Sequence, residues 1–245
     1  MKLKTLAVVL SLAMVLPATA STHPRWSYEG EASPEHWGEL GNEFLTCKTG
    51  MYQSPIDIQH VIDGKLPPLE PNFHTDTKSI VNNGHTIMVT VTDSDDFMLD
   101  NERFELKQFH FHTPSENHIT GKSFPLEAHF VHANKAGDLA VVAVMFEVGA
   151  ENEALNPLLA SIPTKLDTPE KMQSSINLEK LFPQDEHYYR FSGSLTTPPC
   201  TEGVRWLIMR NPVTLSAQQL KKFQIALKHA NNRPLQPLNG RVIVE

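Results

Sequence analysis

Lys107-Gln108-Phe109-His110-Phe111-His112-Thr113-Pro114-Ser115-Glu116 is the stretch on which the reading of this chain turns. Its apolar and aromatic first half predicts a strand over residues 105–112. Side chains of a strand alternate between two faces. Gln108, His110 and His112 therefore share one face, and Phe109 and Phe111 the other. The phenylalanines belong in a core. The two imidazoles, two residues apart, are spaced to bind one metal ion together. Gln108 stands beside His110, where it can hold the ring nitrogen that faces away from the metal.

A third ligand must come from elsewhere in the chain. Glu127-Ala128-His129-Phe130-Val131-His132 predicts a second strand, over 127–133, and offers His129 or His132. Glu127, His129 and Val131 share a face. His129 thus comes with a carboxylate able to orient it, whereas His132 faces away. Three neutral imidazoles suit Zn²⁺ and leave its fourth tetrahedral position for water.

Further strands are predicted over 86–92, 139–148, 206–210 and 242–244. The segment 139–146 is apolar on both faces, as a central strand requires. Helices are few. Ser216 and Gln219 form a capping box, Leu215 and Leu220 are placed as a hydrophobic staple, and Leu220, Phe223 and Leu227 recur at helical spacing. Shorter helices are expected from Thr168, with Pro169 in its first turn, and over 152–161. The 18 prolines are spread along the chain, and no repeat or linker interrupts it. The fold expected is one β-rich α+β domain. It is built on a large, twisted, mostly antiparallel central sheet with a few short peripheral helices.

Composition narrows the function. At 245 residues and 40% hydrophobic the chain is too apolar to be disordered. Lys and Arg number 21 against 28 Asp and Glu, a net charge of −7. Nucleic acid is not an expected partner, since phosphate binding needs a basic face. Lys2 and Lys4, an apolar run from Leu6 to Leu16, Pro17 and then Ala18-Thr19-Ala20 have the order of a secretory signal peptide cleaved after Ala20. The run is too short to span a bilayer. Residues 21–245 are then the mature catalytic domain, without a membrane anchor, in the periplasm or secreted. Export places Cys47 and Cys200 in an oxidising compartment, where a disulfide between them is expected.

Five segments resemble the α-class carbonic anhydrases. They are Gln53-Ser54-Pro55-Ile56-Asp57-Ile58, Asn82-Asn83-Gly84-His85, Gln108 to His112, Glu127 to His132, and Ser194-Leu195-Thr196-Thr197-Pro198-Pro199. They occur in that family's order, and the match runs from Trp26 nearly to the C-terminus. The resemblance implies a zinc enzyme for reversible CO₂ hydration, inhibited by sulfonamides and anions. It makes His110, His112 and His129 the zinc ligands, with Gln108, Glu127 and the backbone carbonyl of Asn231 as their outer partners. Thr196 matches the residue that accepts a hydrogen bond from zinc-bound solvent and donates its own to Glu116. His85 matches the proton shuttle, a role that an imidazole titrating near neutrality suits. Val131, Val141, Leu195, Val204 and Trp206 match an apolar wall for CO₂, with Thr196 and Thr197 beside it. Cys47 and Cys200 resemble the bridge of secreted members, and the homodimers common among bacterial members imply a homodimer. Two positions depart from the pattern. Met88 stands where a polar residue is frequent, and Phe191 replaces a tyrosine common in animal members. Of the remaining histidines, His118, His132, His187 and His229 receive no catalytic role.

Two rival readings make different demands. His110-x-His112-x-x-x-Glu116 also fits the first metal motif of the cupin β-barrels, with Glu116 as a direct ligand. Cupins, however, expect a glycine where Glu127 stands, and they give no reason for Ser194 to Pro199. A non-catalytic relative that keeps the fold is expected to lack a metal histidine, whereas all three are present here.

Overall fold

The computed structural model describes residues 24–71, 73, 76–92 and 95–245. The leader read at residues 1–20 lies outside them. The strands are β1 (Asp57–Ile58), β2 (Thr77–Asn82), β3 (Ile87–Val91), β4 (Asp96–Leu99), β5 (Glu102–His112), β6 (His118–Ile119), β7 (Leu126–Ala133), β8 (Leu139–Val148), β9 (Glu170–Lys171), β10 (Tyr188–Ser194), β11 (Glu202–Met209) and β12 (Val213–Leu215). The α-helices are α1 (Thr46–Thr49), α2 (Asn156–Ala160) and α3 (Ala217–Leu227).

Ten of these strands form one sheet in a single domain. Its order is β10-β11-β8-β7-β5-β3-β2-β9, with β4 beside β5 and β12 beside β8. Most neighbours are antiparallel, but β8 pairs in parallel with β11 and β12, so the sheet is mixed. Among the described residues it runs open from β10 to β9, unlike the closed barrel that the cupin reading requires.

The period-two pattern sets each strand's faces. Phe109 and Phe111 of β5, Phe130 of β7, and Val142, Val144 and Phe146 of β8 enter one large core. The Phe109 and Phe130 rings stack there at 5.2 Å. Each such side chain stabilises the fold by about 1.5–3 kcal/mol when fully buried. A one-residue slip would turn the whole set to the other face, so the register is strongly held. Phe223 and Leu227 of α3 close this core, and the Ser216–Gln219 capping box starts that helix. On the opposite face, Val141, Ala143, Met145, Val204, Trp206 and Ile208 form a second, smaller apolar cluster. His110 and His112 of β5 and His129 of β7 look toward that second face.

Three local expectations are corrected. No helix forms at Thr168. Glu170–Lys171 instead pairs with β2, where an edge backbone needs partners and Pro169 can precede the strand without losing a ladder bond. The segment 152–161 divides into a 3₁₀ turn and the short α2. Asn152 caps the Ala154 amide at 3.1 Å, and Pro157 sits in the first turn of α2, where its missing N–H costs nothing. At 242–244 only Val244 makes strand bridges, to Ile62 and Arg190.

His132 faces the large core, as its place on β7 dictates. Its Nδ1 lies 2.9 Å from the Phe130 carbonyl, and its ring packs edge-on against Phe97. Burial lowers its pKa to about 4, against roughly 6.5 for a free imidazole. The unfolded chain therefore takes up a proton that the folded chain refuses. The stability from this group is whole above about pH 6.5, falls through the window below it, and levels off near pH 4. The loss amounts to about 3 kcal/mol. Urea midpoints at pH 7 and pH 4.5 test this. His132→Gln is expected to lose less stability than the native chain over that interval, and an equal loss would refute the assignment.

Candidate metal centre

The register between β5 and β7 assembles the site. His110 stands directly opposite His129, and His112 opposite Glu127. Two histidines from one strand and one from its neighbour thus meet on a single face. One ligand nitrogen from each of His110, His112 and His129 lies within 4.8 Å of the others.

The remaining ring nitrogens are all held. His110 Nδ1 is 2.8 Å from Gln108 Oε1, His112 Nδ1 is 2.7 Å from the Asn231 carbonyl, and His129 Nε2 is 2.8 Å from Glu127 Oε1. Each of these partners is an acceptor, so each held nitrogen carries the hydrogen and the other presents a lone pair. His110 and His112 therefore offer Nε2, and His129 offers Nδ1. Burial pulls all three imidazoles below their ordinary pKa, and mutual repulsion lowers His110 and His129 further. At His112 the Asn231 carbonyl and Glu127 pull the other way without overcoming burial. Three converging neutral donors are what a cation needs.

A zinc ion fits this set. His112 Nε2 is buried and has no hydrogen-bond partner. Leaving such an atom unpaired costs roughly 1–3 kcal/mol, and coordination would satisfy it. The all-imidazole donor set is one that Zn²⁺ favours.

Glu127 does more than hold His129. Its Oε2 accepts the Glu116 and Asn117 amides at 2.7 and 2.9 Å, and its Oε1 accepts Asn117 Nδ2 at 2.8 Å. One carboxylate therefore fixes both a histidine and the turn that carries Glu116. Burial pushes the Glu116 carboxyl well above the usual carboxylate range, while the Arg233 amide and the Thr196 hydroxyl bring it down. The Arg233 amide lies 2.9 Å from Glu116 Oε1.

The profile of eukaryotic-type carbonic anhydrases matches residues 32–245. A carbonic anhydrase of Pectobacterium carotovorum is 48% identical over 239 residues, covering 98% of each chain. The chain belongs to the α-carbonic anhydrase family. Among solved structures, the α-carbonic anhydrase of Thermovibrio ammonificans, in complex with sulfanilamide, superposes with a TM-score of 0.89 at 46% identity. That match covers 91% of this chain and all of the other. The carbonic anhydrase Cah3 of Chlamydomonas reinhardtii, complexed with acetazolamide, gives 0.80 at 32% identity over 90% of this chain and 98% of its own. The chain is by family a carbonic anhydrase, one of a group of zinc enzymes.

The other residues singled out from the α-carbonic anhydrase pattern lie as follows. Val141, Val204 and Trp206 are buried in the second apolar cluster, and Val131 and Leu195 pack against it. The Trp206 ring meets His129 edge-on at 4.9 Å, and its Nε1 donates to the Ser194 carbonyl at 3.0 Å. Phe191 is buried parallel to Trp206, with centroids 6.1 Å apart. Met88 pairs in register with His110. Thr196 is buried and Thr197 half-buried in the loop after β10, which the Cys47–Cys200 disulfide ties to α1. His85 stands apart from the three histidines. It follows Gly84 in the turn between β2 and β3, where Asn83 Oδ1 accepts the His85 and Thr86 amides. Its ring lies flat on Trp26 at 3.8 Å. Burial first, and then the charge of His229, lower its pKa, while Asp167 opposes them.

Arg233 was not anticipated. Beyond its amide on Glu116, its buried guanidinium donates to Gln53 Oε1, the Ser54 carbonyl and the Cys47 carbonyl at 2.8–3.0 Å. It joins the Glu116 turn to the disulfide. A single arginine with no patterned neighbours gives no signal of this in the sequence.

Proposed function

We propose that the chain catalyses CO₂ + H₂O ⇌ HCO₃⁻ + H⁺ with zinc held by His110, His112 and His129. The observation that carries this reading is the three-imidazole cluster in which every outer nitrogen is already held. Zinc, when bound, acts as a Lewis acid that acidifies a coordinated water, chemistry for which carbonic anhydrases are themselves the standard example.

The chain's own residues supply the rest. Gln108, Glu127 and the Asn231 carbonyl fix the ligand rings, so that little reorganisation accompanies metal binding. The Thr196 hydroxyl donates its hydrogen bond to Glu116, which leaves Thr196 Oγ1 as an acceptor that aims the nucleophile's lone pair at carbon. The Thr196 amide stands ready to donate to the oxygen that becomes negative. Val131, Val141, Leu195, Val204 and Trp206 offer a neutral, apolar substrate a surface that water does not contest, and Thr197 lies at its margin. Sulfonamides are expected to inhibit at the same place, a reading supported by the existence of a sulfanilamide complex of the Thermovibrio enzyme.

His85 takes up the released proton and passes it to buffer. Its depressed pKa places the acid limb of turnover below about pH 6.5. In weak buffer, stopped-flow turnover of His85→Ala is expected to fall about ten- to a hundredfold, with zinc retained and the rate restored by added imidazole. An unchanged rate would remove His85 from the path.

Export completes the reading. The N-terminal leader and a disulfide-bonded domain suit a periplasmic or secreted enzyme. N-terminal sequencing of the mature protein should begin at Ser21, and a start at Met1 would contradict it.

A further inference from the structure

His229 has no part in the reaction as laid out above, yet it is built against the turn that carries His85. Its Nε2 lies 3.2 Å from the carbonyl oxygen of Gly84, the residue before His85, and its Nδ1 lies 2.9 Å from the Ala230 carbonyl. Two residues on, Asn231 Nδ2 donates to the His85 carbonyl at 2.8 Å. The segment after α3 therefore grips two successive carbonyls of this turn. The Tyr28 ring packs near both imidazoles, 6.0 Å from His229 and 6.3 Å from His85.

Each nitrogen of His229 faces a carbonyl oxygen. A neutral imidazole has one N–H and can satisfy one of them, whereas an imidazolium donates to both. The seat is thus shaped for a positive charge.

We propose that His229 is a positioning residue for His85: its imidazolium, seated on the Gly84 and Ala230 carbonyls, makes the neighbouring ring a readier proton donor. This rests on the reading of His85 as the proton carrier. The charged groups facing His85 come from three segments. His229 lies after α3, and Asp167, whose amide donates to the Asn82 carbonyl at 2.9 Å, precedes β9. Tyr28, in the N-terminal segment, is held in its neutral form by burial. The charge of His229 works in the same direction as burial on His85, and Asp167 works against both. A carrier must release its proton as well as accept it, and a cation beside it speeds release into buffer.

NMR titration of the His85 ring in the folded protein tests this without any measurement of turnover. In His229→Gln the His85 midpoint is expected to rise by about half a pH unit. In His229→Arg, which fixes the charge, it should stay at or below the native value. In Asp167→Asn it should fall. An unmoved midpoint in His229→Gln overturns the proposal. So does a shift of the same sign in His229→Gln and His229→Arg, because that marks packing rather than charge. The failure of His85 as a carrier would show separately, as a normal weak-buffer rate in His85→Ala.

Discussion

His129→Ala is expected to lose zinc and CO₂ hydration together. His129 is the one member of the proposed ligand set contributed by β7, directly across from His110, so its removal leaves two donors from a single strand. Two imidazoles cannot complete the three-ligand set that catalytic zinc sites use. A metal-supplied lowering of the barrier by several kcal/mol disappears with it, so kcat/KM should drop at least on the order of 10³-fold. The fold should survive. Glu127 keeps the Glu116 and Asn117 amides and the Asn117 side chain after its histidine partner is gone. Circular dichroism is therefore expected to match the native chain, while metal analysis after dialysis shows no bound zinc. Native zinc content with native activity would refute the ligand assignment.

Replacing both cysteines by serine is expected to produce the largest loss of stability. The Cys47–Cys200 bridge closes a loop across 153 positions of sequence. Chain entropy alone assigns a loop of that size roughly 5 kcal/mol. The bridge also sits where other contacts meet. The Cys47 carbonyl accepts from Arg233, the Cys200 carbonyl accepts from Gln53 Nε2 at 3.0 Å, and Arg233 reaches Glu116 through its amide. Freeing Cys200 loosens the loop of Thr196 and Thr197, so kcat should fall as well as the urea midpoint. Equilibrium unfolding of the double variant checks the first effect, and stopped-flow turnover under native conditions the second. An unchanged midpoint would show that the bridge constrains nothing that the remaining contacts do not.

The sequence carried the local half of this site. Alternation along 105–112 and 127–133 put Gln108, His110, His112, Glu127 and His129 on their faces, because that geometry is intrinsic to a strand. The pairing of His110 with His129 depends on register, which hydrophobic pattern and turn geometry set jointly and which no single segment displays. The Asn231 carbonyl was legible through family resemblance alone, since a backbone oxygen has no side chain to announce it. Arg233 was not legible at all, because its partners are mostly carbonyls gathered from distant segments. The same division holds for the fold. The buried run 139–146 marked β8 as central, but its parallel neighbours β11 and β12 come from more than fifty residues later. At Thr168 a local helix-start signal lost to the demand of the β2 edge for a partner. The histidines outside the metal cluster also divide. His132 is a core residue that burial keeps neutral, and His229 is seated on the turn of the proposed shuttle.

We propose that the three-histidine cluster is a zinc site that hydrates CO₂. Its most direct test is metal quantification and stopped-flow CO₂ hydration on the same purified sample. One zinc per chain is expected, with hydration that scales with zinc content and is abolished by an aromatic sulfonamide. Iron in place of zinc, or a full complement of zinc with no hydration, would contradict it.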